Sequence, residues 1–435
     1  MAQSRLFGTD GVRGAVGELL TPDLAVRLGR AAALQADSDR PQVLIVRDTR
    51  ESGPMLEEAL AAGVAAGGGD AMLGGVLPTP AASVLARRLG FDLAGVVSAS
   101  HNPFEDNGIK FFNSRGRKLE DSSEAAIEAH IAAPTGERVG GVRTLEGAFD
   151  DYIRELRTTF ALDLSGLRVA LDCANGATYR AAPVIFGALG ADLELIGVEP
   201  DGRNINADRG STHPEALIEL VRGSGAHIGF AYDGDGDRVL AVDGAGSLHD
   251  GDDLIALIAR DLQDRGELEG GVAVTVMTNF GFLTTMEAAG IEVAQTSVGD
   301  RHVIEALLER GWRLGGEQSG HIVWTEFTPT GDGIAAALLV LRALAGRRLE
   351  DVEPFRRLPQ LLENVRIADR GAVDGAAQLW SAVEEENKKL EGRGRVLVRP
   401  SGTEPLLRVM VEAPDEGECE AITGRLVDVA QRELA

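Results

Sequence analysis

Short apolar runs recur along the chain, and each is followed by a polar or glycine-rich turn and then by a helix-like stretch. They predict strands at 43–46, 71–73, 93–97 and 109–112, then at 168–171 and 193–198, and again at 272–277 and 291–294. These runs show little alternation of apolar and polar residues, which is typical of strands in sheets that are covered on both faces. The pattern therefore predicts an α/β protein in which the strand–turn–helix arrangement occurs three times.

Capping residues mark where several helices should begin and end. The segment 21–23 (Thr-Pro-Asp) combines an N-cap hydroxyl, a proline suited to the first turn and an acidic group at the positive end of the helix dipole. Pro54 and Pro80 predict two further helix starts, and Gly90 predicts the end of the second of these helices. The helices that start at Pro54 and Pro80 lie between predicted strands, as an α/β arrangement requires.

The last part of the chain changes character. Strands are predicted at 365–367, 395–399 and 407–411, with helices at 377–385 and 419–434, which together indicate an α+β module. A chain of 435 residues is too long for one ordinary hydrophobic core. We therefore expect three related mixed-sheet α/β domains, at 1–150, 151–250 and 251–365, followed by an α+β domain at 366–435.

Composition and net charge argue against some classes of binding partner. Hydrophobic residues make up 44% of the chain and charged residues 26%, an ordinary globular balance, but the net charge is −25. Such an acidic protein would repel a phosphate backbone, so we expect no nucleic-acid partner. No run reaches the ~18 apolar residues of a membrane span, and no signal peptide is evident. Two cysteines are too few for a disulfide framework, which favours the cytoplasm.

A serine lies where an open α/β sheet usually carries its chemistry. The stretch 98–103 (Ser-Ala-Ser-His-Asn-Pro) follows the predicted strand at 93–97, and its Asn-Pro pair predicts a tight turn. Loops at the carboxyl ends of such strands commonly bind ligands. Ser100 is therefore a candidate functional hydroxyl, although small polar residues end many strands and this position alone carries little weight.

A second stretch, 233–238 (Asp-Gly-Asp-Gly-Asp-Arg), crowds carboxylates together. In an extended segment its three aspartates would share one face, where two like charges ~4 Å apart cost roughly 4 kcal/mol at a dielectric of 20. A hard divalent cation removes that cost, and carboxylate oxygens suit Mg²⁺. A calcium EF-hand is excluded because Arg238 and Gly244 stand where that loop needs glycine and glutamate. The predicted ligands of one Mg²⁺ are Asp233, Asp235 and Asp237.

The two stretches together indicate phosphoryl transfer. A protein-bound Mg²⁺ usually keeps room for a phosphate oxygen, and Ser100 is the hydroxyl that could carry the phosphate. A phosphoserine adds about −1.5 to −2 charges, which the metal would balance beside the aspartates. Lys110 and Arg238 could neutralise the remaining charge and steady the transferring group, although either could equally be a surface charge.

Two further stretches could bind a sugar phosphate, and a plain polar turn is the alternative for each. In 316–321 (Gly-Glu-Gln-Ser-Gly-His), an extended conformation would present Glu317, Ser319 and His321 on one side, as suits sugar hydroxyls or a proton shuttle. In 399–405 (Arg-Pro-Ser-Gly-Thr-Glu-Pro), guanidinium forks, hydroxyls and a glycine nest could hold an unreacting phosphate. The residues of this clamp are Arg399, Ser401, Gly402, Thr403 and Arg408. Neither an ATP-type phosphate loop nor a dinucleotide glycine fingerprint occurs.

These four stretches, in this order, closely resemble the α-D-phosphohexomutase superfamily over essentially the whole chain. Within it, the segments 5–14, 98–112, 204–206, 210–215 and 316–321 resemble the bacterial branch that acts on glucosamine phosphates. The resemblance implies four domains around a central cleft and an enzyme that interconverts glucosamine 6-phosphate and glucosamine 1-phosphate. It implies a phosphoserine enzyme, a bisphosphate intermediate and a role in amino-sugar and peptidoglycan precursor synthesis.

The same resemblance implies the roles of individual residues. Ser100 would be the phosphoserine, and its phosphate would join the three aspartates on Mg²⁺. The residues implied at the reacting centre are Arg13, His101, Lys110 and Arg238. Glucose or glucosamine bisphosphate would act as activator. The partner implied is a small hexosamine phosphate, and the protein would be a monomer or homodimer.

Three alternatives remain at this stage. A phosphoglucomutase or phosphomannomutase would use the same machinery on another sugar. A Mg²⁺-dependent sugar phosphatase would let water intercept the phosphoserine. A non-catalytic sugar-phosphate sensor is the third, although Ser100 and the three aspartates speak against it.

Overall fold

The computed structural model describes residues 6–8, 10–134, 138–401 and 405–434. Contacts between Cα atoms group the chain into two compact units. The first unit comprises Met1–Val276 and Ala294–Val352, and the second comprises Met277–Val293 and Glu353–Ala435. Among the described residues, no helix is both long enough and apolar enough to cross a membrane.

The first unit begins with a mixed six-stranded sheet. Its strands are β1 (Val12–Ala15), β2 (Gln42–Arg47), β3 (Asp70–Val76), β4 (Leu93–Val97), β5 (Asp106–Asn113) and β6 (Val142–Thr144), in the order β1-β5-β4-β2-β3-β6. Strands β2, β3, β4 and β6 are parallel, whereas β5 runs antiparallel to β4 and β1. The accompanying helices are α1 (Pro22–Gln35), α2 (Gly53–Ala66), α3 (Thr79–Leu89) and α4 (Asp121–His130). Every residue of β4 is buried, as expected for a strand covered on both faces.

Helices α1 and α2 pack with their backbones in close contact. A Cβ atom at Gly29 would lie 2.1 Å from the carbonyl oxygen of Leu60, and one at Gly63 would lie 2.0 Å from that of Val26. Only glycine fits this crossing, since a methyl group would overlap the partner's backbone. The side chain of Thr21 caps α1 by accepting the Leu24 N–H at 3.2 Å, as the sequence predicted.

A second sheet follows in the same unit. Its strands are β7 (Arg168–Asp172), β8 (Asp192–Ile196), β9 (Ile228–Tyr232), β10 (Val239–Asp243) and β11 (Leu248–His249), in the order β11-β10-β9-β7-β8. The helices of this stretch are α5 (Ala148–Thr159), α6 (Ala181–Ala188) and α7 (Glu215–Ser224). The parallel strands β8, β7 and β9 lead to an antiparallel β9–β10 hairpin, whose connecting turn carries the aspartates of 233–238.

The third sheet has four strands. They are β12 (Val272–Thr275), β13 (Val293–Thr296), β14 (Leu314–Gly316) and β15 (Ile322–Trp324), in the order β13-β12-β14-β15. The helices along this stretch are α8 (Gly251–Asp264), α9 (Phe280–Ala288), α10 (Asp300–Arg310) and α11 (Gly333–Leu344), and a short 3₁₀ helix follows at Leu349–Asp351. The turn between β14 and β15 carries the residues of 316–321.

The second unit is built on an antiparallel three-stranded sheet. Its strands are β16 (Gln360–Arg366), β17 (Arg395–Pro400) and β18 (Leu406–Glu412), in the order β16-β18-β17. Helices α12 (Ala377–Lys389) and α13 (Glu416–Leu434) pack on this sheet around one hydrophobic core, and a 3₁₀ helix lies at Arg370–Gly375. The α+β character predicted for the last part of the chain is confirmed.

The predicted strand at 291–294 is displaced in the structure, where β13 starts at Val293. The cause is the end of α9: Gly290 has a φ of 71°, and the Ile291 N–H donates to the Met286 carbonyl at 2.9 Å. That bond uses Ile291 to close the helix rather than to extend the strand. The sequence pattern did not predict helices α4, α5, α7, α8, α10 and α11.

Candidate active site

Ser100 lies just beyond β4, in a backbone conformation that few residues other than glycine adopt. Its φ is 51°, and its side chain is buried, with 2% of its surface exposed. Its N–H donates to the Ser98 hydroxyl at 3.0 Å, and Ser98 in turn donates to Asp48 at 2.5 Å. The loop therefore holds the Ser100 hydroxyl in one position before any ligand arrives.

Arg50 holds this loop in place through hydrogen bonds to its backbone. Its fully buried guanidinium donates to the carbonyl oxygens of Ser100, Asn102, Pro103 and Asp106. The charge of Arg50 is balanced by Asp48, whose Oδ2 lies 2.9 Å from Nε. Asn206 adds a second donor to the Ser100 carbonyl at 2.9 Å. A planar guanidinium has five N–H donors, so it can form hydrogen bonds to several carbonyl oxygens at once.

The aspartates of 233–238 lie in the turn between β9 and β10, and all three are buried. The segment is a turn and not the extended strand considered from the sequence, because Gly236 takes a φ of 75°. Even so, the turn brings one carboxylate oxygen from each of the three residues within 4.8 Å of the others. The three residues that contribute these oxygens, and that could hold a metal ion, are Asp233, Asp235 and Asp237.

Ser100 and the acidic turn meet directly. The Ser100 hydroxyl donates to Asp233 Oδ2 at 2.5 Å. Burial raises the pKa of Asp233 well above its ordinary value, and the neighbouring charges of Asp237 and Asp235 raise it further. The two stretches that the sequence analysis linked by charge balance are therefore in contact.

Asp235 is held by groups from the first sheet. Lys110 Nζ lies 2.9 Å from Asp235 Oδ2, and the Thr79 hydroxyl donates to the same oxygen at 2.6 Å. Burial would raise the pKa of Asp235, but Lys110 and the hydrogen bond from Thr79 outweigh it and lower the pKa. Lys110 therefore faces the carboxylates of the acidic turn.

The site suits a metal ion. Among the described residues, Oδ1 of Asp235 and Oδ1 of Asp237 are buried without a hydrogen-bond partner. Buried carboxylate oxygens that lack partners are costly unless a cation or a donor satisfies them. Three carboxylates at this spacing supply the oxygen ligands that a hard divalent cation prefers.

The other predicted residues of the reacting centre surround Ser100. His101 Nδ1 lies 3.4 Å from the Ser100 hydroxyl, and burial together with the charges of Arg238 and Arg13 lowers the pKa of His101. Arg13 forms an ion pair with Asp10 and reaches the Ala99 carbonyl at 3.5 Å. The backbone N–H of Arg238 donates to Asp233 at 3.2 Å.

The expectation for 316–321 is wrong in one respect. The segment is a tight turn in which Gly320 has a φ of 89°, so its three polar side chains do not share one side of a strand. Glu317 accepts the Gly299 N–H at 3.0 Å, and Ser319 is exposed. His321 is buried instead, with Nδ1 3.7 Å from Asp237 Oδ2.

The predicted phosphate clamp lies in the second unit. Arg399 and Arg408 are directly opposite each other on β17 and β18. Burial lowers the pKa of Arg399, and the neighbouring charge of Arg408 lowers it further. Two like charges opposed across a ladder are unfavourable until an anion joins them. Ser401 is buried beside them in sequence, and Gly402 and Thr403 lie outside the described residues.

Four protein-family models match successive parts of the chain. They are described as phosphoglucomutase/phosphomannomutase alpha/beta/alpha domains I, II and III and the C-terminal domain, and they match residues 4–137, 150–246, 250–362 and 362–429. A phosphoglucosamine mutase from Pelotomaculum thermopropionicum is 50% identical over 437 residues, with 98% of each chain covered. One from Moorella thermoacetica is 49% identical, with 98% of this chain and 99% of the relative covered.

This chain belongs to the phosphoglucosamine mutase family. It is accordingly an enzyme of the isomerase class within the α-D-phosphohexomutase superfamily. Solved structures agree with this assignment: a phosphoglucomutase/phosphomannomutase family protein from Burkholderia thailandensis has a TM-score of 0.85 at 25% identity, with 100% of this chain and 98% of that chain covered. Aspergillus fumigatus N-acetylphosphoglucosamine mutase, in complex with GlcNAc-6P and magnesium, shares the fold, with a TM-score of 0.70 at 19% identity. The match covers 99% of this chain and 96% of that chain.

Several residues around this mutase site were not predicted from the sequence. They are Asp10, Asp48, Arg50, Thr79, Lys118, Asn206 and Asp300. Arg50 and Asp48 lie in the polar turn 47–50 after β2, so the rule that function follows strand ends could have marked them. Lys118 and Asp300 carry no such signal, because Lys118 pairs with Asp10 and with Asp300, which lie 108 and 182 residues away in sequence.

Proposed function

We propose that this phosphoglucosamine mutase interconverts glucosamine 6-phosphate and glucosamine 1-phosphate through a phosphorylated Ser100. The phosphoryl group would pass from Ser100 Oγ to the free hydroxyl oxygen of the sugar phosphate, and the proton of that hydroxyl would end on Ser100 Oγ as its bond to phosphorus breaks. The resulting bisphosphate would turn over in the site, and Ser100 would then take the other phosphoryl group. The hydroxyl of Ser100, held 2.5 Å from a buried carboxylate of the acidic turn, is the observation that carries this proposal.

One Mg²⁺ would be held by Asp233, Asp235, Asp237 and a phosphate oxygen on Ser100. When bound, the ion supplies positive charge that stabilises the transferring phosphoryl group. Glucose or glucosamine bisphosphate would serve as activator by phosphorylating Ser100.

Four residues around Ser100 would serve the transfer itself. Burial opposes the charge on Lys110, but Asp10 and Asp235 raise its pKa, which suits it to steady the phosphoryl oxygens as an ammonium group. The pKa of His101 is lowered by burial, which favours the uncharged imidazole, the form that can accept a proton. Arg13 and Arg238 would add donors to the phosphoryl oxygens.

The substrate's other groups would be bound by two further sets of residues. Glu317, Ser319 and His321 would serve the sugar. The residues that would hold the unreacting phosphate are Arg399, Ser401, Gly402, Thr403 and Arg408.

We also propose domain boundaries near residues 150, 250 and 365, and a monomer or homodimer. A cytoplasmic location is proposed as well, which fits two buried, unpaired cysteines.

Replacement of the nucleophile tests the proposal. Ser100→Ala should abolish interconversion of the two glucosamine phosphates and leave the fold intact, because only a hydroxyl is lost. Intact-protein mass spectrometry should show one added phosphate on the wild type after incubation with glucose 1,6-bisphosphate and none on the variant. Residual turnover by Ser100→Ala at the wild-type rate would rule out the assignment.

The rival activities predict different products from the same assay. A phosphoglucomutase or phosphomannomutase would turn over glucose or mannose 6-phosphate faster than glucosamine 6-phosphate. A sugar phosphatase would release inorganic phosphate in excess over isomerised product.

A further inference from the structure

Acidic and basic side chains alternate around a closed ring beside the proposed transfer site. Its members, in order, are Lys110, Asp10, Lys118, Asp300, His321 and Asp237. Lys118 Nζ lies 2.5 Å from Asp10 Oδ1 and forms an ion pair with Asp300 Oδ2. His321 joins the next two carboxylates, with Nε2 3.7 Å from Asp300 Oδ2 and Nδ1 3.7 Å from Asp237 Oδ2.

Lys110 closes the ring and connects it to the proposed metal ligands. Its Nζ lies 3.9 Å from Asp10 Oδ2 and 3.9 Å from Asp237 Oδ2, in addition to its hydrogen bond with Asp235. Lys110 therefore stands between three carboxylates. Its position depends on how much of the charge of Asp10 is already engaged by Lys118.

We propose that Lys118 and Asp300 form a positioning pair that holds Lys110 in place for phosphoryl transfer. This inference rests on the function proposed above. Neither residue forms a hydrogen bond or an ion pair with Ser100 or with the acidic turn, although the charge of Asp237 acts on Lys118, so both are positioning residues and not catalytic ones. By engaging Asp10, Lys118 leaves Lys110 to face Asp235, and Asp300 holds Lys118 from the opposite side.

Both members of the pair are ionised in the folded protein. Burial would lower the pKa of Lys118, but Asp10 and Asp300 outweigh it and raise that pKa. Burial would raise the pKa of Asp300, but Lys118 and His321 outweigh it and lower that pKa to about 2. A buried ion pair is costly to break on one side only, because the partner is left as an uncompensated charge.

The pair also joins two parts of the first unit that the sequence places far apart. Lys118 follows β5 of the first sheet, and Asp300 is the first residue of α10. On one side of Asp300, the Gly299 N–H donates to Glu317 at 3.0 Å. On the other side, Arg301 binds the Leu119 carbonyl at 3.3 Å. The start of α10 thus touches both the lysine that positions Lys110 and the carboxylate proposed to bind the sugar.

Kinetics of four variants test the pair: Lys118→Met, Asp300→Asn, the double variant, and Lys118→Arg. Each neutral single variant should lose on the order of 10²-fold in kcat, the size expected when a reacting group moves by about 1 Å. KM should stay within about threefold, because the Gly299 N–H that anchors Glu317 belongs to the backbone and is kept. The double variant should lose about as much as either single one, since the two side chains act as one unit.

Two further variants separate positioning from general stability. Lys118→Arg keeps the charge and should restore kcat to within about tenfold of wild type. Arg342→Met is the control. Arg342 forms a comparable ion pair with Asp261 but lies near the end of α11, so its loss should leave kcat unchanged. If Lys118→Met does not fold, the nearly isosteric Asp300→Asn decides alone. Unchanged kcat in Asp300→Asn, or losses that multiply in the double variant, would overturn the pair.

A second readout keeps this inference distinct from the identity of the sugar. Phosphorylation of Ser100 by glucose 1,6-bisphosphate forms a P–Oγ bond and breaks one sugar P–O bond. The Oγ proton passes to the sugar oxygen that is freed, which leaves a glucose monophosphate. Its rate, followed by intact-protein mass spectrometry, should fall by a similar factor in both neutral single variants. If wild type fails to isomerise glucosamine phosphates yet shows this dependence, the pair stands and the substrate assignment fails. A rate equal to wild type in both variants refutes the pair.

Discussion

The Ser100 hydroxyl sits on a backbone that is unfavourable by itself and is stabilised by its surroundings. A non-glycine residue at a φ of 51° carries a cost on the order of 1 kcal/mol. Arg50 offsets that cost by holding four carbonyls of the same loop. At this scale, the site depends as much on one buried guanidinium as on the nucleophile.

Replacement of Arg50 should therefore lower the stability of the folded protein. Arg50→Met leaves Asp48 buried without its counter-charge, so we expect the free energy of unfolding to fall by about 3–5 kcal/mol in urea denaturation. Arg40→Met is the matched control, because Arg40 pairs with Asp70 but 62% of its side chain is exposed, and the change should cost less than about 1 kcal/mol. Equal losses in the two variants would contradict a special role for Arg50.

At the scale of elements, the start of α11 contains a buried acid that should make stability depend on pH. Asp332 caps this helix by accepting the Ala335 N–H at 2.9 Å, and the Tyr152 hydroxyl donates to its other oxygen at 2.8 Å. Burial raises the pKa of Asp332 to about 6, against these hydrogen bonds that lower it. The unfolded chain releases the same proton near its ordinary pKa of 3.8.

Between these two values the folded state binds the proton and the unfolded state does not. The contribution of Asp332 is therefore complete below about pH 4 and is lost as pH rises through 6, by about 3 kcal/mol for two pKa units. Asp332→Asn keeps an N-cap and removes the titration, so its stability relative to wild type should rise by about that amount from pH 4 to pH 7.5. Tyr152→Phe should lose more stability over this pH range than wild type, because it removes a hydrogen bond that lowers the pKa of Asp332. Parallel pH profiles for wild type and Asp332→Asn would contradict this account.

Two features of helix α1 show which contacts a local sequence pattern can predict and which it cannot. The cap of α1 at Thr21 was predictable because it is a contact between neighbours in sequence. The crossing of α1 and α2 was not, because Gly29 and Gly63 in a helix pattern look like weak points until the partner backbone is seen against them.

For the molecule as a whole, a net charge of −25 and a buried acidic triad should make folding sensitive to divalent cations. Mg²⁺ that binds only the folded state should raise the unfolding midpoint, by the equivalent of about 2.7 kcal/mol at a hundred times its dissociation constant. NaCl at equal ionic strength is the control, because it screens the net charge without occupying the triad. Asp235→Asn should lose the extra shift. The same midpoint in MgCl₂ and NaCl would argue against a site at the triad.

The order of sheets and the α+β end of the chain were predictable, since apolar runs, caps and glycines act locally. The candidate site was predictable only where its residues cluster in sequence, as at 98–103 and 233–238. Lys118 and Asp300 carry no local signal, because each looks like an ordinary surface charge until its partner in the fold is known.

The amino-acid sequence by itself determined which groups are available: a hydroxyl after a strand, three carboxylates spaced by glycines, and two arginines near the end of the chain. It determined part of the secondary structure as well, including helices α1, α2 and α3, because propensity and capping depend on near neighbours. Only the tertiary structure decided that Gly236 folds the aspartates into a turn, that His321 is buried beside Asp237, and that Lys118 reaches Asp300. The reason is that burial and charge pairing act through space, between residues that the chain order keeps far apart.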